Sequence, residues 1–371
     1  MRRRRSREGS ALIVALWVVG LLSLLVTCFA FDAHVESRIT SFYRKRRKAE
    51  YLARSGIEIA ELLMNRSEEM QKNKSTDAEE EEDKWHDQAK RLAEGLAVRS
   101  LKHKLGDGVI SLDIVPEPAR RNANLLKQED WEDILETGGI PEDLWPVLID
   151  SVLDWIDRDS LERADGAETD DYYSQLERPY KAKNGHLDTV RELLLVRGFS
   201  RAVLVGGSVQ DEDEDGVAVP GIADLLTVYG DGKVNVNAAS MRVLMSLPEV
   251  DEVIAGAIIE EREGWVDEQG QKEDSSFTSV NDLFARIPDL SPTLRRYVTT
   301  SSRIYRITSV AEVGGVRKKV WCIVRHGNKQ LTYLRWKEEE APSSGRDRDR
   351  PHDEVAEVPA EPPATDTENT R

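Results

Sequence analysis

Cysteine is almost absent from this sequence, with Cys28 in an apolar run and Cys322 near the C-terminus as the only two among 371 residues. No C-x-x-C pair occurs, which excludes a thiolate metal site, and we do not expect the two cysteines to pair. The six histidines show no H-E-x-x-H spacing, and Gly206-Gly207-Ser208 lacks the final glycine of a nucleophile elbow. We therefore expect a protein that is not an enzyme.

Basic residues are also in deficit, since the formal net charge is -17 and 33% of the residues are charged. A chain this acidic repels phosphate, so no nucleic-acid partner is expected. The basic residues that exist are concentrated early, at positions 2–5 and 7 and again at positions 44–48.

A stretch without any charge runs from Ser10 to Phe31. As a helix it would span roughly 33 Å at about 1.5 Å per residue, close to the hydrocarbon thickness of a bilayer. The arginines before it favour a cytoplasmic N-terminus, so everything after Phe31 is expected on the other side of the membrane.

The residues before the apolar run, Arg7-Glu8-Gly9-Ser10, resemble the processing site of type IV pilin-like proteins. In that family a prepilin peptidase cuts after the glycine, here between Gly9 and Ser10, and leaves the apolar helix in place. A plain signal-anchor helix is the alternative. Most pilins carry Glu at the fifth mature position, in the filament core, whereas this sequence has Val14 there.

Helical periodicity continues beyond the membrane segment, which predicts a long N-terminal helix with one apolar face. The residues that form this face are Ala49, Leu52, Ala53, Gly56, Ile59, Ala60 and Leu63. A coiled-coil or amphipathic stalk is the alternative. The acidic segment from Lys74 to Asp83 is expected to be a linker.

Strand signals lie on both sides of a helical middle region. Ile110, Leu112 and Ile114 alternate with polar residues, and Gly314-Gly315 joins two later apolar runs as a hairpin turn. A further strand is predicted between Gln330 and Trp336, and beyond Lys337 a disordered tail is expected.

Two segments of the middle region look alike, because N-x-N at Asn122 and again at Asn235 precedes a short helix, a turn and a longer helix. The second resembles helix-hairpin-helix DNA-binding domains, whose hairpin glycines grip a phosphate through their amides. Here Glu249 and Asp251 occupy those positions. Their charges disfavour DNA, so a membrane-anchored DNA-uptake protein is kept only as the alternative function.

An acidic loop lies between these two modules, from Asp154 to Asn184. Carboxylates close together with a glycine suit calcium, which takes six to eight oxygen ligands, although the EF-hand spacing is absent. From spacing alone, a solvated acidic loop explains the pattern equally well.

The stretch DWIDRDS…DGAETDDYYSQLERPYKAKN, followed by LDTVRELLLVRGFS, resembles the general secretion pathway protein K family, the K-type minor pseudopilins of type II secretion systems. The resemblance implies calcium binding in this loop and assigns candidate ligands to Asp157, Asp159, Glu168, Asp170 and Asp171. The gap between Asp159 and Gly166 is longer than the family pattern.

The same resemblance implies a role and partners. It predicts a subunit of the bacterial inner membrane, with a periplasmic folded domain, that starts the pseudopilus and forms its tip. The implied partners are the I- and J-type minor pseudopilins, the major pseudopilin and the prepilin peptidase.

The expected fold class is α+β. It combines a pilin-like long helix packed on a small antiparallel sheet with a large inserted α-helical domain of two SAM-like, helix-hairpin-helix-like modules. The expected divisions are a leader (1–9), the transmembrane helix (10–31), its outer half (32–66), a linker with the first strands (67–118), the first module with the acidic loop (119–230), the second module (231–300), the C-terminal strands (301–340) and an acidic, proline-rich tail (341–371).

Overall fold

One helix, α1 (Glu8–Lys72), forms the N-terminal part of the protein. The structure is a computed structural model that describes residues 8–72, 84–209, 216–264 and 275–340. The predicted linker at 74–83, the acidic run at 211–215 and the predicted tail at 341–371 lie outside the described residues.

Seven further helices and eleven strands follow along the described chain. They are α2 (Lys84–Ala93), β1 (Val98–Leu105), β2 (Gly108–Pro116), β3 (Arg121–Asn122), α3 (Gln128–Thr137), α4 (Trp145–Ile156), α5 (Arg201–Val205), β4 (Gly207–Val209), β5 (Val217–Val219), β6 (Leu226–Thr227), β7 (Val234–Asn235), α6 (Met241–Met245), α7 (Glu252–Glu263), α8 (Val280–Arg286), β8 (Val298–Thr299), β9 (Ile304–Val313), β10 (Val316–Gly327) and β11 (Gln330–Glu340).

The first half of α1 has the length and composition of a membrane span and touches nothing else in the described chain. Its apolar window has a mean hydropathy of 2.7 and no buried residue. Val14, for example, is 61% exposed. Burial in lipid is the ordinary way to remove such a surface from water.

The second half of α1 packs on a five-stranded antiparallel sheet in the order β1-β2-β9-β10-β11. The predicted stripe faces this sheet, and Ala49, Ala53, Ala60 and Leu63 are buried together with Ile57 and Met64, which the sequence analysis did not include. Gly56 lets the helix approach closely, since a Cβ there would overlap the hydroxyl of Ser309 in β9. The long helix and its antiparallel sheet agree with the predicted fold class.

Two boundaries and two elements differ from the sequence expectation. Helix α1 continues to Lys72 rather than position 66, because its last turns pack against α2, where Gln71 donates to the carbonyl of Ala93 at 2.6 Å. Neither α2 nor β1 was anticipated. Strand β11 continues to Glu340, because residues 337–340 pair with Lys318–Trp321 of β10.

The chain leaves the sheet after β2 and returns at β9, and the residues between form a separate helical insert. Its core runs through both N-x-N segments, with Trp131, Tyr173 and Phe277 among the largest fully buried side chains. A second core fills the space between α1 and the sheet. A smaller cluster, Ile304, Trp321 and Ile323, lies on the opposite face of the sheet and packs against Tyr229 of the insert.

Candidate functional site

The two N-x-N segments are built in the same way. In each, the first asparagine accepts a hydrogen bond from the backbone of the second, Asn122 from Asn124 at 3.1 Å and Asn235 from Asn237 at 3.0 Å. Each module also closes through a two-residue parallel pairing, β3 with β6 and β7 with β8.

The second asparagine of each module hydrogen-bonds to both the N–H and the carbonyl of a residue far along the chain. Asn124 accepts from the N–H of Leu187 at 2.6 Å and donates to its carbonyl at 3.0 Å. In the same way, Asn237 accepts from the N–H of Phe277 at 3.0 Å and donates to its carbonyl at 2.9 Å. These contacts align LDTVRELL, which begins at Leu187, with FTSVNDLF, which begins at Phe277, and show an internal repeat that the sequence alone did not reveal.

The acidic loop occupies the stretch of the first module between α4 and Leu187. Asp154, in the last turn of α4, is fully buried and its Oδ2 accepts from the backbone N–H of Arg163 and Ala167 at 3.2 and 3.0 Å. Gly166 lies directly against that carboxylate, and a Cβ there would overlap Asp154 Oδ2. The glycine therefore lets the loop fold back onto the end of α4.

Four side-chain oxygens in this loop are buried and lack a hydrogen bond within the described structure: Asp154 Oδ1, Asp157 Oδ1, Glu168 Oε1 and Asn184 Oδ1. Arg163 forms an ion pair with the first of these, since its Nε lies 3.3 Å from Asp154 Oδ1. Buried polar atoms are normally satisfied, so the other three acceptors, which lack a hydrogen bond, require an explanation.

The three carboxylates of this loop, Asp154, Asp157 and Glu168, all have raised pKa values. Burial raises the pKa of Asp154, Asp157 and Glu168, and the charges of Asp154 and Asp157 raise that of Glu168 further. A cation placed among these oxygens would reverse this effect, because it stabilises the ionised forms.

Among the described residues, no group of three or more His, Cys, Asp or Glu side chains is placed to hold a metal ion. The buried oxygens of the loop include the side-chain amide of Asn184, whose backbone φ of +46° is unusual for a residue other than glycine. Its Nδ2 donates to the carbonyl of Asp159 at 2.5 Å, and its Oδ1 is buried without a hydrogen bond. Carboxylate and amide oxygens are the type of ligand that calcium prefers, so the loop is a candidate site by donor chemistry alone.

The predicted ligands divide into two groups. Asp157 and Glu168 belong to the set of orphaned oxygens, whereas Asp159, Asp170 and Asp171 are exposed. Asp159 Oδ1 accepts from the N–H of Leu161 at 3.0 Å. Asp154 and Asn184 were not among the predicted ligands, although both lie within the acidic stretch that the sequence singled out.

Aromatic packing supports the loop from beneath. Trp155 contacts Tyr173 edge-on with ring centroids 5.3 Å apart, and its indole N–H donates to Glu192 at 3.1 Å. Arg197 donates to the carbonyl of Gly166 at 2.7 Å and lies over the ring of Tyr172. The loop is therefore held by a packed floor rather than left as a solvated run of acids.

The helix-hairpin-helix-like hairpin of the second module lacks a phosphate grip. Glu249 takes a positive φ of 60°, the conformation that glycine adopts readily. Asp251 caps α7, since its side chain accepts from the N–H of Ile254 at 2.8 Å. A carboxylate thus occupies the helix end where an anion would bind, which argues against the DNA alternative.

The Gly9–Ser10 junction lies in the first turn of α1, and the structure describes its backbone only.

The long N-terminal helix, the antiparallel sheet and the helical insert together form a mixed helix and sheet architecture, and the apolar start of the helix is compatible with a single membrane anchor. Residues 98–205 match the family model "Type II secretion system (T2SS), protein K". The chain is 25% identical over 337 residues to the type II secretion system protein K of Pseudomonas aeruginosa, which covers 87% of this chain and 90% of that protein. These matches confirm the resemblance to the type II secretion system protein K family seen in the sequence.

A solved structure shares the fold. The GspK-GspI-GspJ complex of the enterotoxigenic Escherichia coli type 2 secretion system contains a chain that aligns with a TM-score of 0.54 at 13% identity. The alignment covers 82% of this chain and all of the other.

Proposed function

We propose that this protein is a minor pseudopilin that helps to start the pseudopilus of a type II secretion system and occupies its tip. The observation that carries the proposal is the combination of a 65-residue α1 with an insert between β2 and β9. The helix is long and apolar at its start, so it can pack into a bundle of similar helices. The insert adds a second hydrophobic core to the pilin-like head, which hinders another subunit from stacking above it.

The proposed partners are the I- and J-type minor pseudopilins, as in the complex of the structural relative, and beneath them the major pseudopilin. Val14 supports a position at the end of the filament. A subunit without a glutamate in the filament core does not offer a carboxylate to the α-amine of a neighbouring helix.

Processing and orientation follow from the N-terminus. We infer cleavage by a prepilin peptidase between Gly9 and Ser10, with the arginine-rich leader in the cytoplasm and the folded domain in the periplasm of a bacterial inner membrane.

Calcium is the proposed ligand of the loop between α4 and Leu187, held by Asp154, Asp157, Glu168 and Asn184. Asp159, Asp170 and Asp171 remain predicted ligands, and their exposed positions are compatible with a second ion or with water-mediated contacts. When bound, the ion would neutralise the buried carboxylates and fix the loop against its aromatic floor.

Secretion by a strain that lacks this chain tests the proposed role. We expect the strain to lose export of its type II substrates and the wild-type chain to restore it. The chain should co-purify with the I- and J-type subunits from detergent extracts. Unchanged export in the deletion strain, together with no recovery of either subunit, would contradict the proposal.

A further inference from the structure

Two adjoining cavities lie between the pilin-like sheet and the helical modules. Each measures about 520 Å³, and they share Arg99, Ala238 and Ser240 as lining residues. Arg99 belongs to β1 of the sheet, whereas Ala238 and Ser240 follow the second N-x-N segment. The cleft therefore marks the junction of the two folded parts.

The charge of this cleft is opposite to that of the chain. Eight Arg or Lys side chains line the two cavities, six in one and three in the other with Arg99 common to both, against four Asp or Glu. The whole chain, by contrast, has a formal net charge of -17. Focusing positive charge in a cleft raises the local concentration of anions.

Several of these cations already have carboxylate partners. Arg306 makes two hydrogen bonds of 2.9 Å to the buried Glu117, and Arg242 lies 2.5 Å from Asp224. Arg99 and Arg262 are different, because neither makes an ion pair within the described part of the chain.

Arg262 is fixed in place without being neutralised. Its Nη1 donates to the backbone carbonyls of Val236 at 2.5 Å and Ala239 at 2.8 Å. Burial lowers the pKa of Arg262, the nearby charge of Glu263 opposes this shift, and the charge of Arg99 adds to it. Two guanidinium groups therefore repel each other across one cavity.

We propose that Arg99 and Arg262 bind an oxyanion of the carboxylate or phosphate class. The guanidinium fork matches the planar edge of a carboxylate or phosphate with two parallel hydrogen bonds. Arg262 keeps its remaining N–H donors for the ligand, because the two carbonyls engage Nη1 alone. Bound there, the anion joins β1 of the sheet to α7 of the second module and removes the repulsion between the two cations.

Titration calorimetry of the full chain in detergent micelles tests this site. Inorganic phosphate and succinate serve as separate probes. The protein is first loaded with calcium and then freed of excess calcium, and sodium chloride keeps the ionic strength constant. We expect saturable binding of at least one probe. The probe that binds identifies the ligand class, and binding of both indicates a general oxyanion site.

Two variants and one control assign the binding to these residues. Arg99→Gln and Arg262→Gln are each expected to weaken binding roughly 10- to 100-fold, as for loss of a charge-assisted hydrogen bond. Arg325→Gln changes an exposed arginine outside both cavities and should bind as the wild type does. Arg99 is exposed, so its variant is expected to fold even if Arg262→Gln does not. Failure of both probes to bind, or unchanged binding in Arg99→Gln, would overturn the proposal.

Discussion

Gly166 shows how a single residue without a side chain determines the geometry of the proposed calcium loop. It lies against the Asp154 carboxylate, where no larger residue fits without displacing either the loop or the acid. The same close approach brings the N–H of Ala167 to Asp154 Oδ2, while Asp154 Oδ1 lies 3.3 Å from Arg163 Nε, so a cation at Oδ1 would compete with that arginine.

The first prediction concerns that contact. Gly166→Ala is expected to lower calcium affinity by at least tenfold, because the added methyl group pushes Asp154 out of position. Calcium titration by calorimetry measures the effect. Gly185→Ala is the matched control, since the same loop leaves space around that residue. Equal affinity in the wild type and Gly166→Ala would argue against Asp154 as a ligand.

The second prediction concerns pH. Burial and neighbouring charges raise the pKa of Glu168 above its ordinary value of 4.5, so the folded state without metal binds a proton more tightly than the unfolded chain. The stability of the metal-free protein should therefore fall as pH rises above that value. Calcium should reverse the trend, because it binds the ionised carboxylates.

The variant Glu168→Gln tests this pH dependence of stability, since its amide resembles the protonated acid and does not titrate. In urea titrations of metal-stripped protein, this variant should gain stability relative to wild type as pH increases, while in calcium it should be the less stable of the two. A difference between the two proteins that does not change with pH would show that Glu168 does not titrate in this way.

At the scale of elements, the two helical modules depend on paired asparagines that act as backbone clamps. Asn124 and Asn237 each satisfy the N–H and the carbonyl of a residue that lies far along the chain. The N-x-N pattern predicts a cap, and Asn122 does cap a short 3-10 turn, whereas α6 of the second module is capped by Ser240. The long-range contacts became visible only in the fold, since spacing does not reveal which distant peptide an asparagine binds.

The third prediction tests these clamps. Asn124→Ala and Asn237→Ala should each reduce the free energy of unfolding by about 1–3 kcal/mol, because they leave backbone groups without partners. Asn281→Ala, which removes an exposed contact to Arg295, should change it by less than about 0.5 kcal/mol. Chemical denaturation followed by circular dichroism gives the comparison, and equal losses in all three variants would contradict the clamp model.

The fourth prediction concerns the hairpin before α7. Glu249→Gly should stabilise the protein by about 0.5–1 kcal/mol, since glycine adopts a positive φ without steric cost. Glu260→Gly, an exposed change within α7, should destabilise by about 1 kcal/mol. Thermal melts of both variants measure the signs, and destabilisation by Glu249→Gly would show that another contact holds that residue.

At the scale of the whole molecule, α1 connects two environments. Its segment up to Phe31 presents an uncharged, mainly apolar surface, while its second half is buried against the sheet through small residues such as Ala53, Gly56 and Ala60. The same element would thus anchor the head and support it, which is why processing at its very start should leave the fold intact.

The fifth prediction follows from that arrangement. N-terminal sequencing of the mature protein should begin at Ser10, and Gly9→Leu should retain Met1 because a side chain obstructs the peptidase. The folded head should keep its melting temperature in Gly9→Leu, since the change lies far from both cores. A mature N-terminus beyond Phe31 would remove the anchor and with it the proposed role.

The sequence by itself determined the membrane segment, the apolar stripe of α1, the Gly314-Gly315 hairpin and the acidic character of the loop, because these features depend on composition and short-range periodicity. Tertiary structure decided which side chains are buried: it buried oxygens of Asp154, Asp157, Glu168 and Asn184 and left Asp159, Asp170 and Asp171 in solvent. It also placed Arg99 beside Arg262. Contacts of this kind involve residues that are separated along the chain, and they depend on how the secondary-structure elements pack against one another.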